Sequence, residues 1–158
     1  MPSDPDVIEK EIVVRTTPEK AFRALTSEED LRRWFVPHTA LKFSSHSGGS
    51  YEMAGKGGPG PDWMLQGAIV AYEPNRHLAY TWNCTWTQAG SRTGTQAQTL
   101  VEWWIDDLGD GTVKIRLRHS GWSKDPDNRA SHEGGWPRML AQLENHLSGR
   151  EVVVRTRI

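Results

Sequence analysis

The chain has 158 residues, a formal net charge of −1 and one cysteine, Cys84. That length suits a single domain with one substantial core, and the near-neutral charge gives no electrostatic reason to expect nucleic acid or an anionic membrane surface as a partner. A lone cysteine excludes an internal disulfide and fits a reducing cytoplasm. No apolar run is long enough to span a bilayer, and Met1-Pro2-Ser3-Asp4-Pro5-Asp6 carries no signal-peptide pattern.

Residues 1–6 read as a flexible lead. Val7 to Thr16 then alternates, with Ile8, Ile12 and Val14 on one face and Glu9, Glu11 and Arg15 on the other, as in a half-buried strand. Thr17-Pro18 starts a helix, the threonine as N-cap and the proline at the first helical position. Ser27 caps a second helix whose acids, Glu28, Glu29 and Asp30, sit at its positive end. It runs to Trp34-Phe35 and stops before Pro37.

A long β region follows. Leu41 and Phe43 alternate with polar residues, Gly48-Gly49 turns, and Tyr51 and Met53 resume the alternation. Gly55 to Pro61 is a Gly/Pro loop, Trp63 to Tyr72 a strand and Glu73 to Arg76 a turn. Leu78, Tyr80, Trp82, Cys84 and Trp86 share one face of the next strand, and Gln88 to Gln98 reads as a polar loop. Around the turn Asp107 to Gly111, placing residues 106 and 112 opposite each other pairs Ile105 with Val113, Trp103 with Ile115 and Val101 with Leu117. The other face then pairs Glu102 with Arg116 and Trp104 with Lys114, an ion pair and a cation–π contact. His119 continues the apolar face of Val113, Ile115 and Leu117.

The last helix falls within residues 128–147. Trp136, Leu140, Leu143 and Leu147 recur as a buried stripe, Ser148-Gly149 ends it, and Pro137 either sits in a first turn or kinks it. Strand, two short helices, about six strands with short turns and a long helix make an α+β chain with an antiparallel sheet.

Thr17-Pro18 with Ala21-Phe22, Leu31 to Phe35 with Pro37, Gly48-Gly49, Tyr80-Thr81-Trp82, Gly109-Asp110-Gly111-Thr112, His119-Ser120-Gly121-Trp122 and Gly135-Trp136 occur in an order that resembles the START-like (SRPBCC, birch-pollen-allergen-like) helix-grip superfamily. Within it the chain is similar to bacterial homologues of the C-terminal domain of the heat-shock-protein-90 ATPase activator, over residues 7–148. The resemblance implies a curved antiparallel sheet of about seven strands wrapped around a long C-terminal helix, with a cavity between them. It implies no reaction, because the superfamily holds lipid carriers, hormone receptors, polyketide cyclases and chaperone cofactors. Where members often carry an acid and an arginine before the double glycine, this chain has Ser44 and His46, so no role of that pair is carried over. Residues 149–158 form a tail, in which Glu151-Val152-Val153-Val154-Arg155-Thr156 echoes Glu11 to Thr16. It reads either as a chance recurrence of β-prone residues or as an extra strand on a sheet edge, that of a homodimer partner included.

His119 and His132 invite an acid–base or metal reading, but His132-Glu133-Gly134-Gly135-Trp136 lacks the second histidine of the zinc-protease motif and no close-spaced ligand supports a metal. No nucleophile motif or phosphate-binding loop is present either. His119 is thus a hydrogen-bonded end to an inward face or a contact to a ligand. The tryptophans are core packing or, as a group, the apolar wall of a pocket. The glycines at 121, 134 and 135 remove volume beside the rings or permit close backbone approach.

The expectation is a domain that binds a small apolar or aromatic ligand, with no catalytic residue, metal or cofactor assigned. Trp136 and Met139 would contribute from the helix, Trp82, Trp103, His119 and Trp122 from the sheet side, and Trp34 and Trp63 from the mouth, with His119 as polar anchor. The alternatives are a chaperone-cofactor-like module working through the outer face around Trp104, Lys114 and Arg116, and a cyclase-type enzyme using the same pocket with His119 as proton donor.

Overall fold

A computed structural model describes residues 4–35, 40–55, 62–88, 91–94, 98–150 and 152. The elements run β1 (Val7–Arg15), α1 (Pro18–Thr26), α2 (Glu28–Trp34), β2 (Ala40–Phe43), β3 (Ser50–Gly55), β4 (Asp62–Glu73), β5 (His77–Gln88), β6 (Ser91–Gly94), β7 (Thr99–Asp107), β8 (Thr112–Ser120) and α3 (Pro126–Leu147). The sheet is antiparallel throughout, in the order β1-β8-β7-β5-β4-β3-β2, with β6 paired to β5. The seven strands of that path, curved around the long C-terminal helix, make the expected α+β helix grip, with β6 as an eighth strand off the path. Strand β6 corrects one expectation, since it lies inside the stretch read as a polar loop; it pairs Ser91 with Gln88 and Gly94 with Thr85. The loop after Gly55 and residues 151 and 153–158 of the tail lie outside the described residues.

Both predicted caps form. The Thr17 hydroxyl accepts from the Lys20 amide at 3.2 Å and the Ser27 hydroxyl from the Asp30 amide at 3.4 Å, each satisfying a donor that the helix start leaves open. Two longer ties fix the helices together. The Trp34 indole donates to the Ala24 carbonyl at 2.7 Å, and the Gln142 side-chain amide of α3 donates to the Trp34 carbonyl at 2.6 Å.

Strand alternation delivers the core. Leu78, Tyr80, Trp82 and Cys84 of β5, Val101, Trp103 and Ile105 of β7, and Val113, Ile115 and Leu117 of β8 are all buried. Tyr51 lies opposite Gly67 on β4, and its hydroxyl donates to the Thr81 carbonyl on β5 at 2.7 Å. A Cβ on residue 67 would stand 1.9 Å from that carbonyl oxygen and 2.7 Å from the Tyr51 ring, so only glycine lets the ring lie across the strand.

The β7–β8 hairpin departs from the expected register by two residues. Ile105 faces Ile115, Trp103 faces Leu117 and Glu102 faces Arg118. The turn is tighter than the one assumed: the Leu108 amide bonds the Thr112 carbonyl at 3.1 Å, with Gly109 and Gly111 at φ 82° and 85°. A shift of two keeps every side chain on its face, so the inward set stands and only the outer partners change. Glu102 pairs with Arg118 at 3.6 Å instead of Arg116, and the cation over Trp104 is Arg116, 5.2 Å from the ring, instead of Lys114.

Helix α3 covers the inner face with His132, Gly135, Trp136, Met139, Leu140, Gln142 and Leu143 buried. Pro137 lies within the helix, not in its first turn, so the turn ending at residue 137 lacks one backbone donor. Residue 6, expected in a flexible lead, is held instead. The Asp6 carbonyl accepts from the Gly121 and Trp122 amides at 3.0 and 3.2 Å, and its carboxylate accepts from the Ser123 amide at 3.1 Å. The Ser123 amide and side chain, with a second contact from the Gly121 amide, hold the Asp6 carboxyl below its ordinary range.

Candidate functional site

Five of the eight expected site residues, Trp82, Trp103, His119, Trp122 and Trp136, meet in one aromatic cluster, and His132 joins them. The register explains the meeting. His119 stands near the end of β8, opposite Ile8 of β1 and Val101 of β7. Trp82 pairs with Thr99 at the start of β7, and His132 and Trp136 are one helical turn apart on the buried side of α3. Rings lie edge-on or tilted: Trp82 is 5.4 Å from Trp136, Trp103 is 5.7 Å from Trp136, and Trp122 is 4.6 Å from His119 and 4.7 Å from His132.

The hydrogen bonds of the cluster are reciprocal and set the histidine tautomers. The Trp136 indole donates to His119 Nδ1 at 3.0 Å, so the ring proton sits on Nε2, which donates to the Thr99 hydroxyl at 2.7 Å. Thr99 in turn donates to the Trp82 carbonyl at 3.4 Å. The Trp82 indole donates to His132 Nε2 at 3.1 Å, so His132 keeps its proton on Nδ1 and donates it to the Asn128 carbonyl at 2.7 Å. Burial pushes the His119 pKa well below its ordinary value, and the neighbouring His132 adds to the effect. Burial also lowers His132, against the opposing pull of the Asn128 carbonyl and the Asp125 charge.

Two consequences follow for the expected roles of His119. Both ring nitrogens are engaged by protein groups, which leaves no lone pair or N–H to anchor a ligand. A neutral imidazole whose proton is held by Thr99 is also poorly placed to deliver that proton to a substrate.

The other three residues stand apart. Trp34 is fully buried, packed edge-on against Phe35 at 5.2 Å and tied to Ala24, a joint between helices. Met139 is buried on α3 one turn beyond Gly135. Trp63 is buried on β4 opposite Gly55, and its indole N–H has no hydrogen-bond partner among the described residues. Trp122 N–H is likewise unpaired, but its ring is closed in against both histidines. Gly135 is buried, yet among the described residues a Cβ there would meet no atom within 4 Å beyond its chain neighbours and its own helix backbone.

Thr99 and Asn128 were missed by the sequence reading. Thr99 shares the parity of Val101, Trp103 and Ile105, the one signal that places it on the inward face. His46, at one of the two positions where the family pattern departs, is exposed and turned to the Ser47 carbonyl at 3.0 Å. The outer face carries a separate arrangement. Trp104 is stacked on His77 at 5.0 Å with Arg116 on it at 5.2 Å, beside a hollow of about 330 Å3 lined by Glu9, Glu11, Arg116 and Arg118.

Residues 15–148 match the family model described as activator of Hsp90 ATPase homolog 1-like protein. No curated protein matches the chain significantly. Among solved structures, the protein MLL2253 from Mesorhizobium loti is 24% identical with a TM-score of 0.71, over 92% of this chain and 99% of that one. The Aha1 dimer from Colwellia psychrerythraea is 18% identical with a TM-score of 0.67, over 90% and 96%. DynU16, a protein of the dynemicin biosynthetic locus, is 18% identical with a TM-score of 0.69, over 92% of this chain and 48% of that one.

Proposed function

The chain belongs to the activator of Hsp90 ATPase homolog 1-like family, and from that premise we propose that it binds a small apolar or aromatic molecule between the sheet and α3. The space left at Gly135 carries this reading. A protein core is packed like an organic crystal, and at buried Gly135 a Cβ would meet no described atom within 4 Å beyond its chain neighbours and its own helix backbone, which supports room for a ligand there. Met139, one turn along the same side of α3, is unbranched and repacks easily, so it is the side chain that yields when a ligand enters. The Trp82–His119–Trp136–His132 cluster then acts as the rigid end wall, with Trp103 and Trp122 behind it. Trp63 lines the side toward the start of β4, and Trp34 backs the helices.

The reading is tested by titrating the protein with a neutral fluorescent probe, N-phenyl-1-naphthylamine, before and after Gly135→Leu. The leucine meets no atom at its Cβ and suits a helix better than glycine, so the fold survives. The expected result is loss of probe binding with an unchanged or raised thermal midpoint. Unchanged binding in the variant sinks the proposal.

A second reading has its own observation, the His77–Trp104–Arg116 stack on the outer face. Aromatic and arginine side chains together are typical anchors of protein interfaces, and the family takes its name from activation of Hsp90. Pull-down with the cognate Hsp90-type chaperone, lost in Trp104→Ala, would support a docking module. Equal capture by wild type and variant would count against it.

A further inference from the structure

We infer that the bound molecule is uncharged and carries a hydrogen-bond acceptor, a ketone, ester, ether or quinone oxygen, that takes the Trp63 indole N–H. This deepens the ligand-binding reading and rests on it. Trp63 is 5% exposed and its Nε1 has no hydrogen-bond partner among the described residues. The indoles of Trp34, Trp82, Trp103 and Trp136 each donate to a protein acceptor, the Ala24 carbonyl, His132, the Tyr80 hydroxyl and His119 respectively. Buried indole N–H groups find partners as a rule, so the exception marks a place where an acceptor arrives from outside the chain. Trp122 differs, because its ring is sealed against His119 and His132 and shows no exposure.

The position fits a ligand. Trp63 faces Gly55, which contributes no side chain, across the β3–β4 ladder. On β4 it is followed on the inward face by Leu65, which lies opposite Cys84 on β5. Trp82, the next inward residue of β5, belongs to the closed cluster. An apolar floor thus separates one free donor from a wall whose polar atoms are already paired.

The charge of the ligand follows from the groups around that floor. Burial holds the Cys84 thiol up at about 12 and raises the Tyr51 and Tyr80 phenols, while His119 and His132 stay neutral through burial and their indole donors. The buried residues beside Trp63 on β4 and β5, Leu65, Leu78, Tyr80, Trp82 and Cys84, offer neither a cation to a carboxylate nor an anion to an amine, the buried Asp125 carboxylate being bonded instead to the Asn128 amide at the start of α3, and an unpaired charge placed there would be strongly disfavoured. An indole N–H only donates. The matching ligand is a neutral acceptor on an apolar body.

Three probes of equal shape separate the possibilities: 2-acetylnaphthalene, its hydrocarbon isostere 2-isopropylnaphthalene, and 2-naphthoate. Dissociation constants are measured by calorimetry for wild type and Trp63→Phe. The inference expects naphthoate to bind most weakly to wild type. It also expects Trp63→Phe to weaken the ketone about tenfold, the worth of a neutral hydrogen bond, while the hydrocarbon changes less than twofold. Equal weakening of ketone and hydrocarbon, or none, overturns the inference but leaves ligand binding intact. Binding of no probe overturns both. If Trp63→Phe does not fold, the infrared carbonyl band of acetylnaphthalene bound to wild type decides: a shift to lower frequency than in hexane supports the bond, and an unshifted band refutes it.

Discussion

Lowering the pH should unlock the protein through its two buried histidines. In the native state His119 Nδ1 and His132 Nε2 are both acceptors of indole N–H groups. A proton added to either nitrogen would set one N–H against another in a buried site, which burial already disfavours. The unfolded chain has no such restraint and takes up protons near the ordinary histidine value of 6.5. Below that pH the unfolded state therefore binds more protons than the folded state, and stability falls as pH falls. Between pH 7.5 and 5.5, if the folded state takes up neither proton, the loss approaches about 1.4 kcal/mol per histidine and about 2.7 kcal/mol for both. It is fully recovered above the unfolded-state value. Urea unfolding at the two pH values reads the difference, and ring NMR resonances of His119 and His132 read its cause. A midpoint near 6.5 for either ring in the folded protein, or equal stability at both pH values, would refute the reasoning.

Four further outcomes are expected. Gly67→Ala forces a Cβ into the Thr81 carbonyl at 1.9 Å and should cost about 3 kcal/mol, seen as a large drop in thermal midpoint; Gly134→Ala, where nothing lies within 4 Å, should instead add about 1 kcal/mol. Pro137→Ala restores a backbone donor inside α3 and should stabilise by about 1 to 3 kcal/mol, so a lower urea midpoint would contradict the helical accounting. Asp6→Ala removes the carboxylate acceptor of the Ser123 amide and should speed hydrogen exchange across 121–125 while leaving β4 and β5 unchanged; uniform exchange in both proteins would refute the clamp.

The architecture was legible because it rests on local signals. Thr17 and Ser27 are caps by residue type and spacing, and the alternation in β1, β5, β7 and β8 names the inward side chains whatever their partners. The hairpin register was not legible, for the same reason. A strand pattern of period two is blind to a shift of two, and only the geometry of Gly109 and Gly111 separates the alternatives. Strand β6 was missed because Ser91-Arg92-Thr93-Gly94 has no apolar alternation, its pairing with β5 being a matter of backbone. At the candidate site, the sequence put His119 on the inward face but could not say what its ring nitrogens meet. Those partners, Thr99 and Trp136, come from a strand start and a helix whose juxtaposition is set by the whole sheet. The unpaired donor of Trp63 is invisible for the same reason, since only tertiary neighbours decide whether an indole is satisfied.

The placement of β1 also governs when the molecule can be completed. In the sheet its partner is β8, so Val7 waits for Ser120 and Arg15 for Thr112. During synthesis the first strand emerges with its apolar face and backbone donors uncovered while more than a hundred further residues are made. Closure then brings together β1, the Asp6 clamp, the loop at 121–123 and the first turns of α3 in one late, long-range step. Contacts of such high sequence separation slow folding, and an open edge in the meantime favours association with other chains. For a nascent chain of this design, the charged residues Glu9, Lys10 and Glu11 within β1 serve as guards against premature pairing until its distant partner arrives.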